Sequence, residues 1–228
     1  MAPNALVDYY ESTGGRYRMS STRRNHVCAL LRRSVERMPA GQVVRILDIG
    51  IGSGEIPIFL KQTLPERLIQ VTGIDISARL VEAKRELYHE TRVINVDEDG
   101  WQRSFSHSFD IVVASELVEH LFRPDIFFQR LRDVVRADGY VVLSTPNMLL
   151  WSQRIKFMLG RHAFADGGVF EWGHIHLFSW PFLQKLIAQN HFRIVDSNHL
   201  LHPNFLNPLQ RLAPGLLAFQ FIVLLQKQ

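Results

Sequence analysis

The sequence predicts an α/β fold in which a parallel sheet of seven strands is covered by helices on both faces. Three observations lead to this fold class. Short β-branched apolar runs alternate with helical stretches along most of the chain, a glycine-containing loop follows the first run, and no internal repeat or linker divides the chain. Alternation of strands and helices is typical of parallel sheets, because each crossover helix packs on a face of the sheet.

An amphipathic helix and two strand–helix pairs are predicted in the first half of the chain. Apolar residues from Val27 to Met38 follow helical spacing, with arginines on the other faces. The next apolar run, VVRILDIG, is short, rich in β-branched residues and bounded by glycine, which indicates a strand. Pro57 lies in the first turn of the following helix, where proline is tolerated. The later elements are, in order, a strand at VVRILDIG, a helix after GIGSGE, a strand at LIQVTGIDIS and a helix at ARLVEAKRELYHE.

The alternation continues in the second half with one interruption. Pro124 and Gly139 bound a predicted helix, because proline favours helix starts and glycine favours helix ends. The segment from Met148 to Gly173 breaks the rhythm and is predicted to be an insertion with a short helix and an aromatic loop. The remaining elements are strands at TRVINVD, FDIVVAS, YVVLSTPN, FRIVDSNHL and FQFIVLLQK, and a helix at SWPFLQKLIAQN.

The pattern predicts one domain with an N-terminal extension. We expect residues 41–228 to form the domain, with its insertion at 148–173, and residues 1–40 to form a helical extension. Both the extension and the insertion lie outside the regular alternation and carry residues unlike a plain core. We therefore expect them to cover the functional edge of the sheet as a mobile lid.

The composition predicts a soluble, cytoplasmic protein. Hydrophobic residues make up 46% of the 228 residues and charged residues 21%, which is ordinary for a globular domain. Cys28 is the one cysteine, so no disulfide can form within the chain and a reducing compartment is expected. No secretory signal is visible, and the most apolar segment, Leu216 to Leu225, is too short to cross a bilayer.

The net charge of +4 is concentrated near the N-terminus, where eight arginines between Ser12 and Arg45 are accompanied by a single acid, Glu36. Arginine forks suit phosphate or carboxylate groups, although a solvated helix face explains such a run equally simply. No separate RNA-binding module is recognisable in the chain. The sequence therefore does not favour nucleic acid as a partner.

A glycine-containing loop follows the first predicted strand. Gly50, Gly52 and Gly54 allow a tight turn and a close approach of ligand to backbone at the carboxyl end of that strand. Glu55 stands where a dinucleotide fingerprint needs its third glycine, which argues against a pyrophosphate binder. Asp48 precedes the loop and Asp75 ends the second strand, a position that suits a ribose diol.

The stretch ASELVEHLF follows the fourth predicted strand and contains three metal-ligand residue types. Glu116, Glu119 and His120 are spaced i, i+3 and i+4, so on a helix they share one face. Such side chains could hold an ion, pair with arginines or face water. The spacing alone leaves these alternatives open.

Five motifs in order resemble those of class I S-adenosylmethionine-dependent methyltransferases. They are LDIGIGSGE, GIDIS, VDEDGW, FDIVVASELVEHL and GYVVLSTPN, and the likeness extends over roughly residues 41 to 228. The resemblance implies a Rossmann-like sheet of seven strands, mostly parallel, with a late antiparallel strand at FQFIVLLQ. It also implies S-adenosylmethionine as the methyl donor.

The resemblance assigns roles to individual residues. The methionine part and sulfonium would lie against Asp48 and the glycine loop, while Asp75 would hold the ribose hydroxyls. Ile76 would pack on the adenine, and Asp97 would accept from its amino group, with Glu98 and Asp99 as competitors in the same turn. The cofactor-binding residues implied in this way are Asp48, Gly50, Gly52, Gly54, Asp75, Ile76, Asp97 and Ser115.

The element ELVEH further resembles the E-x-x-E-H element of ubiquinone-pathway O-methyltransferases and small-RNA 2′-O-methyltransferases. There, two glutamates and a histidine bind a divalent cation, and another histidine comes from the segment after the insertion. WGHIHLFSW offers His174 and His176, of which His174 has the better spacing. The implied metal ligands are Glu116, Glu119, His120 and His174, with Glu119, His120 and His174 as the catalytic residues and Mg²⁺, Mn²⁺ or Zn²⁺ as the ion. In the alternative without metal, the glutamates are structural and His120 is a general base.

The motifs favour O-methylation of a small-molecule acceptor, acidic or sugar-like. STPN differs from the N/D-P-P-[FY] signature of amino-group methylation, and no cysteine near a site supports a cysteine-based mechanism. RNA 2′-O-methylation and metal-free N- or C-methylation of a metabolite remain the alternatives. The aromatic residues of the insertion form either a roof over the acceptor or a small satellite core. They are Trp151, Phe157, Phe164, Phe170 and Trp172.

Overall fold

The computed structural model describes residues 11–12, 20–161, 173–201, 209 and 212–228. Within these ranges the central feature is one eight-stranded sheet. The strands are β1 (Val44–Ile49), β2 (Ile69–Asp75), β3 (Glu90–Val93), β4 (Phe109–Ser115), β5 (Val135–Pro146), β6 (Phe192–Ser197), β7 (Leu200–Leu201) and β8 (Ala218–Lys227). Their spatial order is β3-β2-β1-β4-β5-β8-β6, and β7 pairs with β8 off this path.

The sheet is mostly parallel, as predicted. β1 pairs parallel with β2 and β4, and β5 pairs parallel with β4, whereas β8 is antiparallel to both β5 and β6. Because parallel strands end at the same edge, Ile49, Asp75, Ser115 and Pro146 mark one carboxyl edge of the sheet. The predicted fold class is therefore confirmed, and β7 is a short addition to the seven predicted strands.

Helices and 3₁₀ turns connect the strands. The helices are α1 (Ser21–Glu36), α2 (Glu55–Thr63), α3 (Ala78–Lys84), α4 (Pro124–Val134), α5 (Trp151–Met158), α6 (Trp180–Gln189) and α7 (Pro214–Leu217), and the 3₁₀ turns are Arg85–Leu87, Trp101–Ser104 and Val118–His120. Ser20 caps α1, because its hydroxyl accepts from the backbone N–H of Arg23 at 3.3 Å. None of the helices in the described ranges is long and apolar enough to cross a membrane.

Each face of the sheet has its own apolar layer, since alternate strand residues point to opposite faces. One layer joins the sheet to α4 and α6 through side chains such as Phe128 and Leu183. The other joins it to α1 through side chains such as Leu30 and Leu31, which are fully buried. Burial of each leucine contributes about 2 kcal/mol, so α1 is a core element of the fold. The boundary at residue 40 and the lid role of residues 1–40 stay predictions.

The helix predicted between Pro124 and Gly139 is wrong at its C-terminal end. α4 ends at Val134, and Val135 already pairs with Phe109 of β4. A Cβ at position 139 would lie 3.0 Å from the backbone oxygen of Asp110. Gly139 therefore permits close packing of neighbouring strands and does not end a helix.

Part of the predicted insertion lies outside the described residues. Its expected short helix is present as α5. Trp151 and Phe157 lie on α5 and are each partly exposed. Phe164, Phe170 and Trp172 fall outside the described ranges, so the aromatic roof stays a prediction.

Candidate active site

The loop between β1 and α2 takes a backbone path that favours glycine. Gly50, Gly52 and Gly54 have φ angles of 81°, 45° and 74°, a left-handed region that side chains with a Cβ rarely adopt. The backbone N–H of Gly50 donates to the carbonyl of Ile74 at 2.8 Å, which joins the loop to β2. Gly50 and Gly52 are not buried, so they leave backbone accessible at the carboxyl edge, where open α/β sheets bind ligands.

Asp48 lies beneath this loop and is buried. Its Oδ2 accepts a hydrogen bond of 2.7 Å from the hydroxyl of Tyr88. The pKa of Asp48 is raised to about 7, chiefly by burial; the Tyr88 hydrogen bond lowers it, and the nearby carboxylate of Asp75 adds to the rise. The site therefore holds a carboxyl group that titrates near neutral pH.

Asp75 ends β2 and its carboxylate faces backbone N–H groups. Oδ1 accepts from the N–H of Ser77 at 2.9 Å. Burial raises the pKa of Asp75, and the N–H groups of Ser77, Gly52, Ile51 and Ile76 oppose this by stabilising the charged form. The carboxylate thus lies between the end of β2 and the glycine loop, with Ile76 next to it in the chain.

Asp97 and Ser115 lie on neighbouring parts of the same edge. The Asp97 carboxylate accepts from the backbone N–H of Phe122 at 3.0 Å, so this side chain faces the segment after β4. Asp99, a competitor in the same turn, pairs with Arg130 and its side chain is 98% exposed. Ser115 forms a hydrogen bond of 2.8 Å with the hydroxyl of Ser144 on β5.

Glu116 is held as an ion-paired residue. It has a φ of 53° and precedes the 3₁₀ turn at Val118–His120, so the expected helical face shared with Glu119 and His120 is wrong. Its backbone N–H donates to the carbonyl of Ser144 at 3.1 Å, which explains why the chain turns here. Its carboxylate lies 3.1 Å from the Arg23 guanidinium of α1 and also contacts Ser144 and Gln220.

Glu119, His120 and His174 form a cluster whose ligand atoms all lie within 4.8 Å of one another. The carboxylate of Glu119 is buried, and its Oε2 accepts from the hydroxyl of Thr145 at 3.0 Å. Within the described ranges, Glu119 Oε1 is buried without a hydrogen-bond partner. A buried carboxylate oxygen is costly unless it is paired, so this oxygen marks a place for a cation or a donor.

Main-chain contacts bring the segment after the insertion to this cluster. The carbonyl of Glu119 accepts from the N–H groups of Ile175 at 2.9 Å and His176 at 3.0 Å. The His120 and His174 rings consequently lie 4.8 Å apart, edge to face. The His176 ring instead contacts the carbonyl of Phe122, at 3.2 Å from Nε2. Of the two candidate histidines, His174 is the one in the cluster.

The electrostatics of the cluster follow from burial. Burial raises the pKa of Glu119 well above its usual value, and the nearby Glu116 carboxylate raises it further. The pKa of His120 is lowered to about 4, chiefly by burial and to a smaller extent by His174. At neutral pH His120 is therefore a neutral imidazole. Its Nδ1 donates to the carbonyl of Gly173 at 2.8 Å, which leaves the lone pair on Nε2.

Several contributors to this site were missed by sequence reasoning. They are Arg23, Tyr88, Ser144, Thr145 and Gln220. Thr145 lies in STPN and Arg23 lies in the arginine-rich segment, so the sequence indicated these segments but not the roles of the two residues. No local signal could reveal their partners, since these contacts join distant parts of the chain.

The sequence of this chain is similar to those of known methyltransferases. The family model described as a methyltransferase domain matches residues 19–197. The ubiquinone biosynthesis O-methyltransferase of Bradyrhizobium diazoefficiens is 33% identical over 131 residues, which are 54% of this chain and 48% of that protein. The chain thus spans about half the length of this curated relative.

Solved methyltransferases share the fold. A S-adenosylmethionine-dependent methyltransferase from Archaeoglobus fulgidus has a TM-score of 0.62 at 19% identity, covering 96% of this chain and 100% of that one. The 1,6-didemethyltoxoflavin-N1-methyltransferase of Burkholderia thailandensis has a TM-score of 0.63 at 19% identity, covering 100% of this chain and 91% of that one. At these identities the likeness shows the fold alone.

Proposed function

The chain belongs to the class I S-adenosylmethionine-dependent methyltransferases, and from this premise we propose that it methylates a hydroxyl oxygen of a small molecule with help from a divalent cation. The observation that supports the cation is the buried Oε1 of Glu119, which has no hydrogen-bond partner in the described part of the chain. Two imidazoles lie beside it. A carboxylate and two imidazole nitrogens are a suitable ligand set for Mg²⁺, Mn²⁺ or Zn²⁺.

The three ligands are held in place by neighbouring groups. Thr145 orients the Glu119 carboxylate, and the carbonyl of Gly173 selects the His120 tautomer with its lone pair on Nε2. The hydrogen bond to Gly173 raises the basicity of His120, and both hydrogen bonds restrict the orientation of their ligands. Glu116, the fourth ligand expected from sequence, instead has one carboxylate oxygen paired with Arg23 and the other hydrogen-bonded to Ser144 and Gln220.

The divalent cation and S-adenosylmethionine would supply the chemistry, and the side chains of the protein would position them. A divalent cation at the cluster would lower the pKa of an acceptor hydroxyl and orient its oxygen. S-adenosylmethionine carries the methyl group on a sulfonium. Asp48, Asp75 and the glycine loop would bind the donor at the adjacent strand ends, so both reactants would meet along the carboxyl edge.

A cleft bordered by α5, α6 and α7 is large enough for a small molecule, although its lining includes neither the donor residues nor the Glu119 cluster. It has a volume of about 750 Å³, within the usual range for such ligands, and Leu149, Arg154 and Trp180 contribute to its lining. β5 carries Thr145, which contacts Glu119. Asn147 follows β5, and its side-chain oxygen accepts a hydrogen bond of 2.9 Å from the backbone N–H of Leu149, which lines the cleft. Arg154 provides a cation that would suit an acidic acceptor.

The choice of oxygen as the acceptor atom rests on the relatives. The curated relative is named as an O-methyltransferase, whereas one structural neighbour is named as an N1-methyltransferase. The fold is therefore compatible with either atom. The Glu119 cluster favours oxygen, because a hard divalent cation activates hydroxyls.

The cation proposal is tested by exhaustive chelation with protocatechuate, an acidic catechol, as the acceptor probe. We expect transfer to fall at least about 10-fold in chelator and to return when Mg²⁺, Mn²⁺ or Zn²⁺ is added. A short RNA duplex assayed in parallel tests the alternative 2′-O-methylation. Full activity in chelator would contradict the proposal and leave His120 as a plain general base.

The cofactor residues are tested separately by changing Asp75 to alanine. We expect S-adenosylmethionine affinity to fall at least about 20-fold, because a carboxylate that accepts from both ribose hydroxyls is removed. Titration calorimetry measures this, with Asp133→Ala at the end of α4 as a matched surface control. Equal affinities of the wild type and Asp75→Ala would show that Asp75 does not bind the ribose.

A further inference from the structure

Tyr88, which lies outside the motifs that the sequence singled out, forms a buried hydrogen bond with Asp48. The Tyr88 hydroxyl donates to Asp48 Oδ2 at 2.7 Å, although the two residues are 40 positions apart. Both residues are less than a tenth exposed. A buried, charge-assisted hydrogen bond of this length strongly restricts the orientation of the carboxylate.

Gly73 makes this contact possible. It is the β2 residue that pairs in register with Asp48 on β1. A Cβ at position 73 would lie 2.8 Å from ring carbons of Tyr88 and 2.8 Å from the side chain of Ile51. The absence of a side chain at this position therefore lets the tyrosine ring lie against β2 and reach the end of β1.

Asp75 and Cys28 are two ionisable neighbours of Asp48. Asp75 on β2 is a like charge, and Cys28 on α1 is a buried thiol whose pKa is raised to about 12, so it is neutral. Arg24 on α1 and Glu55 on α2 are charged groups that interact with Cys28. Tyr88 is the neighbouring side chain that stabilises the ionised form of Asp48 by a direct hydrogen bond.

We propose that Tyr88 is a positioning residue for the cofactor, which keeps Asp48 ionised and oriented toward the cationic methionine end of S-adenosylmethionine. Tyr88 then controls the pH range over which the cofactor binds. This inference rests on membership of the methyltransferase family and on neither the acceptor nor the divalent cation. Its failure would therefore leave the proposed O-methylation untouched.

The direction of the pH effect follows from the hydrogen bond. Burial raises the pKa of Asp48 to about 7, and the Tyr88 hydroxyl opposes this by stabilising the carboxylate. Removing the hydroxyl raises the pKa of Asp48 by about one unit more. At neutral pH a smaller fraction of Asp48 is then ionised, so the cationic S-adenosylmethionine binds less tightly. This loss of affinity disappears as the pH rises, because Asp48 becomes fully ionised.

The test measures S-adenosylmethionine affinity by titration calorimetry from about pH 6 to about pH 8.5. We expect Tyr88→Phe to weaken binding about 5-fold near pH 7 and less than about 2-fold near pH 8.5. Tyr140→Phe is the matched control, because Tyr140 lies on β5, which is separated from β1 by β4. We expect the control to follow the wild-type pH profile.

Two further variants test whether the pH effect comes from the Tyr88–Asp48 hydrogen bond. Gly73→Ala should displace the tyrosine ring and shift the pH profile in the same direction as Tyr88→Phe. Asp48→Asn should weaken binding and remove the pH dependence in this range. The proposal is overturned if Tyr88→Phe, folded by circular dichroism, keeps the wild-type profile, or if Gly73→Ala does so should Tyr88→Phe not fold.

Discussion

Replacing Glu119 by glutamine is expected to slow methyl transfer at least about 100-fold while changing S-adenosylmethionine affinity less than about 2-fold. Glu119 is the buried carboxylate of the cluster, and Thr145 holds one of its oxygens. An amide carries no charge for a cation and presents only one oxygen. Asp48 and Asp75, the carboxylates expected to bind the donor, lie on β1 and β2 and not in the cluster, so cofactor affinity should be spared.

Three measurements on the same variant test this expectation. They are the transfer rate with protocatechuate, the affinity for Mn²⁺ and the affinity for S-adenosylmethionine. Glu66→Gln, at an exposed position, is the surface control. Wild-type transfer and Mn²⁺ affinity in Glu119→Gln would contradict the three-residue cluster.

Glu116→Gln distinguishes a three-residue site from the four-residue site expected from sequence. If Arg23 holds Glu116 in the working enzyme as in this structure, Glu116→Gln should weaken Mn²⁺ binding less than about 3-fold. A loss as large as that of Glu119→Gln would place Glu116 among the ligands.

Replacing Arg23 by methionine is expected to lower the free energy of unfolding by about 3 kcal/mol. The change leaves Glu116, whose side chain is 5% exposed, without its cationic partner. Burial already raises the pKa of Glu116, and Arg23 is the largest influence opposing that rise. The unpaired acid must then be buried as an anion or take up a proton, and both are costly.

Thermal unfolding measures the effect, with an expected fall in Tm of about 6 to 12 °C for a chain of this size. Arg32→Met is the matched control on the same helix, because its exposed pair with Glu36 should contribute less than about 0.5 kcal/mol. The double variant Arg23→Met with Glu116→Gln should recover part of the lost stability. An equal Tm for Arg23→Met and Arg32→Met would show that the buried pair does not stabilise α1 on the sheet.

The segment from Glu116 to His120 does not form the helix on which the predicted common face depended. The spacing of Glu116, Glu119 and His120 predicted a common helix face, but the chain forms only a 3₁₀ turn at Val118–His120. Main-chain hydrogen bonds from distant segments override the helical preference here, since Glu116 N binds Ser144 and Glu119 O receives two donors. Glu119 and His120 still converge with His174, although by tertiary contacts.

The sequence by itself determined the alternation of strands and helices, the glycine loop and the placement of Asp48 and Asp75 at strand ends. These features depend on residues close together in the chain, because periodicity and glycine conformations are local properties. Only the tertiary structure decided which charged groups meet. Thr145 lies 26 residues from Glu119, Gly173 lies 53 from His120 and Gln220 lies 104 from Glu116. Such contacts depend on which helix face and which loop cross the sheet edge, and no local pattern specifies that crossing.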